Sequence, residues 1–506
     1  MIFQYTQCYQ LPILLQKCHT SHNGIVLDQV VRKSVDLETL ERFRAARDVM
    51  EEAGADINTD LHQAVFNNDL KSLSGLLRTA KERNIDVGGK DKQGGNTALH
   101  LAVMLGRREC VQLLLAHGAP VKLKNTAGWS PLAEAISYGD RQTISSLLRR
   151  LKQQARAEME TRRPEMIAGL RKLGDFSLEL KWDFSSWVPL VSRILPSDIC
   201  KISKKGASVR LDTTLVDFSE MRWERGDITF LYRGEEKEKS LCVLDNKAKV
   251  FQYVRHQDSE LEFEDEVDLL MSSDIVAAQI STKPITFTRE KSGWIWKEDR
   301  AEQLGNYQAD FYTVNGMVLE SRKRREHLSE EDLQKNRAII ENFSKGQAQS
   351  LEEGIPEEPV RRQSLAPPVA PDVCWAQYSD CPPGAPPLLA RKIVSKTSSK
   401  QFKATVAMSE DFPMEVEMLL AVLEVIAPQF KHFKKLRNFV QLKLPPGFPI
   451  LVNIPVLPTV SAKITFTDFQ WSSPGDPALD NARYEIPQSY NLDPNRWRSI
   501  GMMMLS

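Results

Sequence analysis

The sequence predicts an α+β protein in which a short all-α repeat stack is followed by an antiparallel, β-rich domain that also contains helices. Two observations support this prediction. Helical segments recur at a fixed spacing in the first third of the chain, and short β-branched runs separated by turn residues occupy much of the remaining two thirds. The chain has 506 residues, which is enough for about two to four domains at roughly 100–200 residues each.

The first third of the chain contains two clear copies of one unit and a weaker third copy. Residues 95–102 read GNTALHLA and residues 128–135 read GWSPLAEA, an offset of 33 residues. Residues 61–65 repeat the LHxAV pattern 38 residues before its first clear copy, which indicates a degenerate unit followed by a short insertion. A 33-residue period with a TPLHxA-like start is typical of ankyrin repeats. The sequence therefore predicts an ankyrin stack over residues 56–155.

The repeat pattern also predicts how the stack is stabilised. His100 lies in the TPLH-like turn, where we expect its ring to bond backbone groups rather than act in catalysis. Three units are the minimum for a stable stack, and one of them is degenerate. We therefore expect the following helical segment, residues 143–172, to bury an apolar face against the second half. Pro164 is expected to interrupt this helix, and Gly174 to stop it.

Beyond Gly174, short runs bounded by turn residues predict an antiparallel sheet or a barrel. The runs lie at residues 209–218, 228–232, 241–244, 250–254, 285–288, 294–296, 454–458 and 462–469. Two charged segments lie among them. Residues 258–268 carry seven carboxylates and are expected to form a solvated loop or helix face. Residues 322–325 read RKRR, which indicates an exposed face paired with nearby acids, or alternatively a nuclear signal or phosphate contact.

Residues 345–400 are predicted to form a disordered insertion rich in proline and serine, because nine prolines oppose both helix and central strand. The insertion would divide the β-rich domain into parts at 156–344 and 401–475. Residues 476–506 are interpreted as a loosely ordered tail, and residues 1–55 as an unassigned N-terminal extension. Within the insertion, the RRQS pattern ending at Ser364 is typical of basophilic phosphorylation sites, so Ser364 is a candidate for modification.

Residues 429–440 predict an amphipathic helix with large apolar side chains on one side and basic ones on the other. This is the arrangement of a helix that lies at a membrane surface. The candidate membrane-contacting residues are Phe430, Lys431, Phe433, Lys434, Lys435 and Arg437. The same pattern would also seat a helix on a sheet with its lysines in solvent, so both interpretations stay open.

The tip between the two clear repeats is the candidate partner-binding surface, because loop tips vary without disturbing the core. The candidate residues are Lys124, Asn125, Thr126 and Trp129. The large amphipathic ring of Trp129 suits an interface anchor. The alternative is that Trp129 packs on the neighbouring tip.

Composition and motifs favour a binding protein over an enzyme. The 67 basic and 67 acidic residues cancel, so no global field attracts nucleic acid or anionic lipid. Seven cysteines without a CxxC pair argue against a zinc ribbon or a disulfide framework. Phosphate-loop, GxSxG and HExxH motifs are absent, and no apolar run is long enough to span a bilayer. We expect a cytoplasmic, non-enzymatic protein without cofactor, metal, nucleic acid or small-molecule substrate; an enzyme with a pocket in the β-rich domain is the less favoured alternative.

Seven segments resemble the ankyrin repeat domain 13 family, and its C-type members in particular. They are LHLAVMLG at 99–106, GWSPLAEAISYGDR at 128–141, GDFSLELKWDFSSWVPLVSRILPSDIC at 174–200, RLDTTLVDF at 210–218, DLLMSSDI at 268–275, VLESRKRREHLSEED at 318–332 and KLPPGF at 443–448. The resemblance implies that the β-rich half is a receptor-chaperone domain. It further implies binding to newly made G-protein-coupled receptors at the cytoplasmic face of the endoplasmic reticulum, where the protein would regulate receptor maturation and export.

Other members of the family carry ubiquitin-interacting motifs and act in ubiquitin-dependent endocytosis. The nearest approach to such a motif here is residues 330–344, which contain Ala338 but have Asn342 where the motif requires serine. The resemblance therefore favours a receptor chaperone that is peripheral on the endoplasmic reticulum membrane. A ubiquitin-dependent endocytic adaptor for membrane receptors is the alternative.

Overall fold

The computed structural model describes residues 59–494 and residue 496, with gaps at 187–194, 196, 220–221, 238, 255–258, 282–283, 294–297, 345–360, 370–371, 427–443, 458–459, 474, 478–479 and 495. A stack of paired helices forms the N-terminal part. A large sheet forms most of the rest, and a single long helix reaches into both.

The paired helices of the stack follow the predicted repeats. They span residues 59–66 (α1), Leu70–Arg78 (α2), Ala98–Met104 (α3), Arg108–Ala116 (α4), Pro131–Tyr138 (α5) and Arg141–Lys172 (α6). The side chains of Thr97 and Ser130 cap α3 and α5 by accepting backbone N–H bonds from the first helical turn. Gly139 ends α5 with a φ of 88°, a left-handed conformation that glycine adopts without a steric penalty.

The second part contains a 14-stranded sheet assembled from segments on both sides of the proline-rich region. The strands are Phe176–Ser186 (β1), Ser197–Lys205 (β2), Ser208–Ser219 (β3), Arg222–Arg233 (β4), Leu241–Asp245 (β5), Val250–Tyr253 (β6), Ile275–Ser281 (β7), Thr286–Arg289 (β8), Lys291–Ser292 (β9), Glu298–Asp299 (β10), Ala301–Leu304 (β11), Tyr307–Arg324 (β12), Ser395–Ser409 (β13), Phe448–Leu457 (β14), Val460–Trp471 (β15) and Asn491–Leu492 (β16). The order is β11-β12-β13-β14-β15-β1-β2-β3-β4-β5-β6-β16, with β7 and β8 paired to β12, whereas β9 and β10 pair separately. All pairs are antiparallel except β6 with β16, so the predicted antiparallel sheet is present.

Four further α-helices lie among the residues that the structure describes in this part: Glu260–Ser272 (α7), Glu330–Ser344 (α8), Trp375–Ser379 (α9) and Val416–Ile426 (α10). The helix α10 covers the sheet, since Leu420 and Val422 lie in the same apolar core as Phe448 and Phe466 from β14 and β15. The helix α7 instead belongs to the stack, because Phe263 and its neighbours lie in the stack's core.

The long helix α6 connects the two cores, as the sequence predicts. Ile144 and Leu147 near its start lie in the core of the stack, and Leu170 near its end lies in the core of the sheet. The predicted interruption at Pro164 is wrong, because α6 is continuous over 32 residues. A proline inside a helix removes one backbone hydrogen bond. Burial of apolar side chains at both ends of α6 offsets that loss.

The predicted disordered insertion is ordered wherever it is described. Residues 361–369 and 372–394, which we call the strap, run along the helix stack, and residues 395–400 begin β13. The strap buries Tyr378, Leu389 and Ala390. The prediction of disorder is therefore wrong for these residues, whereas residues 345–360 and 370–371 lie outside the described part. Proline opposes regular elements, but it does not stop an extended chain from burying side chains on a neighbouring surface.

Candidate interaction surface

His100 has the structural role that the repeat pattern predicts. The Thr97 N–H donates to Nδ1 of the ring at 3.1 Å, so Nε2 carries the proton and donates to the Trp129 carbonyl oxygen at 3.0 Å. Burial lowers the pKa of His100 to about 4. The ring is therefore neutral at physiological pH, and it holds two adjacent repeats together.

The tryptophan of the predicted partner-binding tip is buried. Trp129 is only 5% exposed, and the guanidinium groups of Arg322 and Arg324 lie 5.5 and 5.0 Å from its ring centroid. Arg322 also donates to the carbonyl oxygen of Ala127 at 2.7 Å. The prediction that Trp129 anchors a partner is therefore wrong, because two arginines of β12 cover its ring.

The polar residues of the tip connect it to the preceding turn. Asn125 donates through Nδ2 to the Asn96 side chain at 3.1 Å and accepts the Trp129 N–H at 3.0 Å. The Thr126 hydroxyl donates to the Gly94 carbonyl oxygen at 2.7 Å, and the carbonyl oxygen of Lys124 accepts a bond from the Lys90 ammonium. Asn125 thus helps to hold the turns in place. Partner contacts through Lys124 and Thr126 stay a prediction.

Asn125→Ala is expected to lower the free energy of unfolding by about 1–3 kcal/mol, because two partners at the tip lose their hydrogen bonds. Denaturation in urea measures this change. Ala127→Ser, on the exposed part of the same tip, is the matched control and should leave the midpoint unchanged. An Asn125→Ala protein that unfolds at the wild-type urea concentration would show that the tip bonds contribute nothing.

A buried arginine joins the stack to the sheet. Arg324 in β12 is 1% exposed; its two terminal nitrogens lie 3.0 and 3.1 Å from the carboxylate oxygens of Glu134 in α5, and its Nε lies 2.7 Å from Glu326. Burial alone would lower the pKa of Arg324, but the two carboxylates raise it above its usual range. The predicted exposed basic face is therefore wrong for Arg324, although its predicted pairing with acids is present. Arg325 pairs with Asp274 at 3.3 Å.

The acidic helix α7 packs against the helix stack, so it is not only the solvated face that its sequence predicts. Its inner side chains Phe263, Val267 and Met271 lie in the core of the stack. Its carboxylates meet the basic side chains along α6. The pairs are Arg141 with Glu264 and Asp268, Arg149 with Glu260, and Lys152 with Glu266. The run of acids in the sequence therefore complements the basic start of α6.

The strap is held to the ankyrin turns through Tyr378. The phenol donates to a carboxylate oxygen of Asp91 at 2.6 Å and accepts from the Asn96 amide at 3.0 Å. The Phe66 ring centroid lies 5.3 Å from that of Tyr378 and 5.4 Å from that of Trp375. Burial, together with the neighbouring Asp91 charge, raises the pKa of Tyr378. The ankyrin turns at residues 91–96 are thus covered by the chain itself.

The N-terminal end of the strap is held by charge. Arg361 binds Asp265 and Asp268 of α7, and Arg362 binds Asp332 of α8. The hydrogen bonds from Arg362 lower the pKa of Asp332 to about 2. Ser364 accepts the Arg141 N–H at 3.0 Å and donates to Asp140 at 3.2 Å. Ser364 is an exposed residue of the strap that lies beside the start of α6, and its phosphorylation stays a prediction.

The predicted membrane-contacting residues, Phe430 to Arg437, lie outside the described part of the chain. Among the described residues, no helix combines the length and apolar character needed to cross a membrane. Within the same part, no cluster of His, Cys, Asp or Glu side chains has the arrangement of a metal site.

The repeated helix pairs define an ankyrin-repeat protein, a class whose stacks serve protein recognition. Residues 61–158 match the family model described as three copies of ankyrin repeats, which includes the degenerate first unit. Residues 210–491 match the model described as ANKRD13 C-terminal. The chain belongs to the ankyrin repeat domain-containing protein 13 family.

Individual relatives match across both parts of the fold. Ankyrin repeat domain-containing protein 13C of Homo sapiens is 55% identical over 441 residues, which is 87% of this chain and 79% of the relative. The Danio rerio 13C protein is also 55% identical, and the match covers 87% of each chain. Ankyrin repeat domain-containing protein 13B of Homo sapiens is 33% identical over 80% of this chain and 66% of the relative. The predicted resemblance to the family is confirmed.

Proposed function

We propose that the protein is a non-enzymatic chaperone or quality-control adaptor for newly made G-protein-coupled receptors at the cytoplasmic face of the endoplasmic reticulum. The observation that carries the proposal is the similarity to the 13C proteins, which extends over both the stack and the sheet. The segments that resemble the C-type members imply this role, and ankyrin stacks are recognition surfaces. A holding function needs reversible binding to an exposed segment, and it needs no covalent chemistry.

The structure limits how a client could engage the stack. The strap covers the turns at residues 91–96 and the side of Phe66. A client segment would therefore bind outside this covered surface or displace the strap. The buried pairing of Arg324 with Glu134 couples the stack to β12, so surfaces of the stack and the sheet lie side by side around that strand.

The alternative function, a ubiquitin-dependent endocytic adaptor, receives less support from α8. The motif needs an acidic run on an accessible helix. In α8, Glu330 and Glu331 are exposed, whereas Asp332 is buried, ion-paired with Arg362 and bonded to Ser329. The acidic run is thus partly used to hold the strap, which favours the chaperone over the ubiquitin adaptor.

The proposed function is tested by pulse-labelling a receptor in cells that contain graded amounts of the protein. Excess protein should prolong the glycan form that is typical of the endoplasmic reticulum, and the labelled receptor should be recovered with the protein at early times. Ubiquitin-coated beads provide the comparison. Unchanged receptor maturation combined with capture on ubiquitin would contradict the chaperone proposal and support the adaptor.

Attachment to the membrane is tested separately at the predicted helix 429–440. Replacing Lys431, Lys434, Lys435 and Arg437 with glutamine should release the protein into the soluble fraction, because each cation near an anionic surface contributes about 1 kcal/mol. The melting temperature should not change. The matched control replaces four exposed lysines elsewhere with glutamine, namely Lys71, Lys81, Lys92 and Lys291. If the first variant stays on membranes, the helix is not the membrane contact.

A further inference from the structure

The first part of β13 is an open strand edge within the described part of the chain. One side of β13 pairs with β12 from Ser395 to Met408. On its other side β13 pairs with β14 only over residues 405–409. Continuing that register would place Pro455 of β14 opposite Lys403. Proline has no N–H to donate, and β14 is paired with β15 at this point, so the ladder stops there.

The open edge is long enough to hold another strand. Residues 395–403 form nine positions, about 30 Å at roughly 3.3 Å per residue. Residues 395–401 and Lys403 are all exposed, and only Phe402 is half-buried. An edge of this kind presents backbone N–H and C=O groups that can pair with an added extended segment.

The positive charge along residues 395–403 favours an acidic partner segment. Lys396, Lys400 and Lys403 lie along it, and none of them has an ion-pair partner among the described residues. Among the β12 residues paired with 395–401, the acidic residue is Glu320, which lies opposite Ser399. The three cations therefore leave a net positive edge that favours an acidic partner.

An apolar patch adjoins one end of the edge. Ile393 and Val394 directly precede β13 and are 46% and 53% exposed. An apolar side chain at the matching end of a partner would cover this patch.

We propose that residues 395–403 bind an extended, acidic polypeptide segment that adds to β13 as a further strand, with an apolar residue of the partner over Ile393 and Val394. This inference goes beyond the proposed function, since it holds whether or not the partner is a receptor. The edge lies next to the ankyrin tip, because Arg322, the β12 residue opposite Thr397, bonds Ala127. Lysines on an edge strand can also serve only to prevent two copies of the protein from pairing through their edges. If that is their whole role, residues 395–403 should not bind an acidic peptide.

The test uses the full chain and a fluorescent nine-residue peptide that alternates glutamate with threonine and valine and ends in leucine. Anisotropy should show binding that weakens with salt, and hydrogen exchange should show protection at residues 395–403. A second peptide has the same side chains but an N-methyl group on every backbone amide, so neither of its edges can donate a hydrogen bond. This peptide cannot pair as a strand, so it should not bind.

Replacing Lys396, Lys400 and Lys403 together with glutamate should weaken peptide binding by about 30-fold, since three exposed attractions become repulsions. The matched control reverses Lys71 and Lys81 in the helix stack and Lys237 between β4 and β5, which are exposed lysines outside β13 and the strands paired with it. Equal binding of the N-methylated peptide, or protection outside residues 395–403, would overturn the proposal. Binding of anionic vesicles or RNA without any binding of the peptide would also overturn it. Peptide binding and receptor maturation are measured in separate experiments. A negative result for the strand edge therefore does not contradict the proposed function, and a negative result for receptor maturation does not contradict the strand edge.

Discussion

Arg324→Met is expected to lower the free energy of unfolding by about 3–5 kcal/mol, because removing one partner of a buried ion pair leaves uncompensated charge. In this protein the substitution removes the guanidinium that lies between the buried carboxylates of Glu134 and Glu326. It also removes one of the two cations against the Trp129 ring. Arg322→Met, at the more accessible arginine over the same ring, is the matched control and should cost much less.

The pH dependence of this variant provides a second readout. Burial alone would raise the pKa of Glu326, but Arg324 and the Ser137 hydroxyl lower it below its usual range. The stability contributed by this carboxylate is thus present above its unfolded-state pKa and is lost as pH falls through its folded-state pKa. Without Arg324, protonation should instead relieve the buried charge, so the deficit of Arg324→Met should shrink in acid. Equal denaturation midpoints for the variant and the wild type at neutral pH would contradict the role of Arg324.

Tyr378→Ala is expected to detach the strap from the stack. Truncation of a buried aromatic side chain costs about 3–5 kcal/mol, and here it also leaves the Asp91 carboxylate and the Asn96 amide without their partner. Hydrogen exchange should accelerate in residues 372–394 and in the turns at 91–96. The strands β5 and β6, which lie far from β13 in the strand order, should exchange as in the wild type.

Tyr378→Phe is the matched control for the strap. It keeps the ring contacts with Phe66 and Trp375 and removes only the hydroxyl, so the expected cost is about 1–3 kcal/mol. Hydrogen exchange in the strap should therefore be fastest in Tyr378→Ala, intermediate in Tyr378→Phe and slowest in the wild type. Wild-type exchange in Tyr378→Ala would show that the strap is held by its charged end, Arg361 and Arg362, rather than by the aromatic contacts.

The sequence by itself predicts the parts of this protein that depend on neighbouring residues. The 33-residue period, the caps at Thr97 and Ser130 and the glycine after α5 act over a few positions, so the repeats and their helices are visible in the sequence. The short runs of β-branched residues likewise predict the antiparallel strands. The backbone role of His100 follows from its place in the same turn.

Tertiary structure alone decides which of the polar and aromatic residues are accessible. Whether Trp129 and Arg324 face solvent depends on contacts between β12 and the stack, across about 190 residues of chain. The ordering of the strap depends on Phe66 and Asp91, about 300 residues earlier, and the open edge of β13 depends on where Pro455 falls in the register of β14. Local patterns report the preferences of a segment, whereas burial and edge pairing are set by distant segments that reach the same place only after folding.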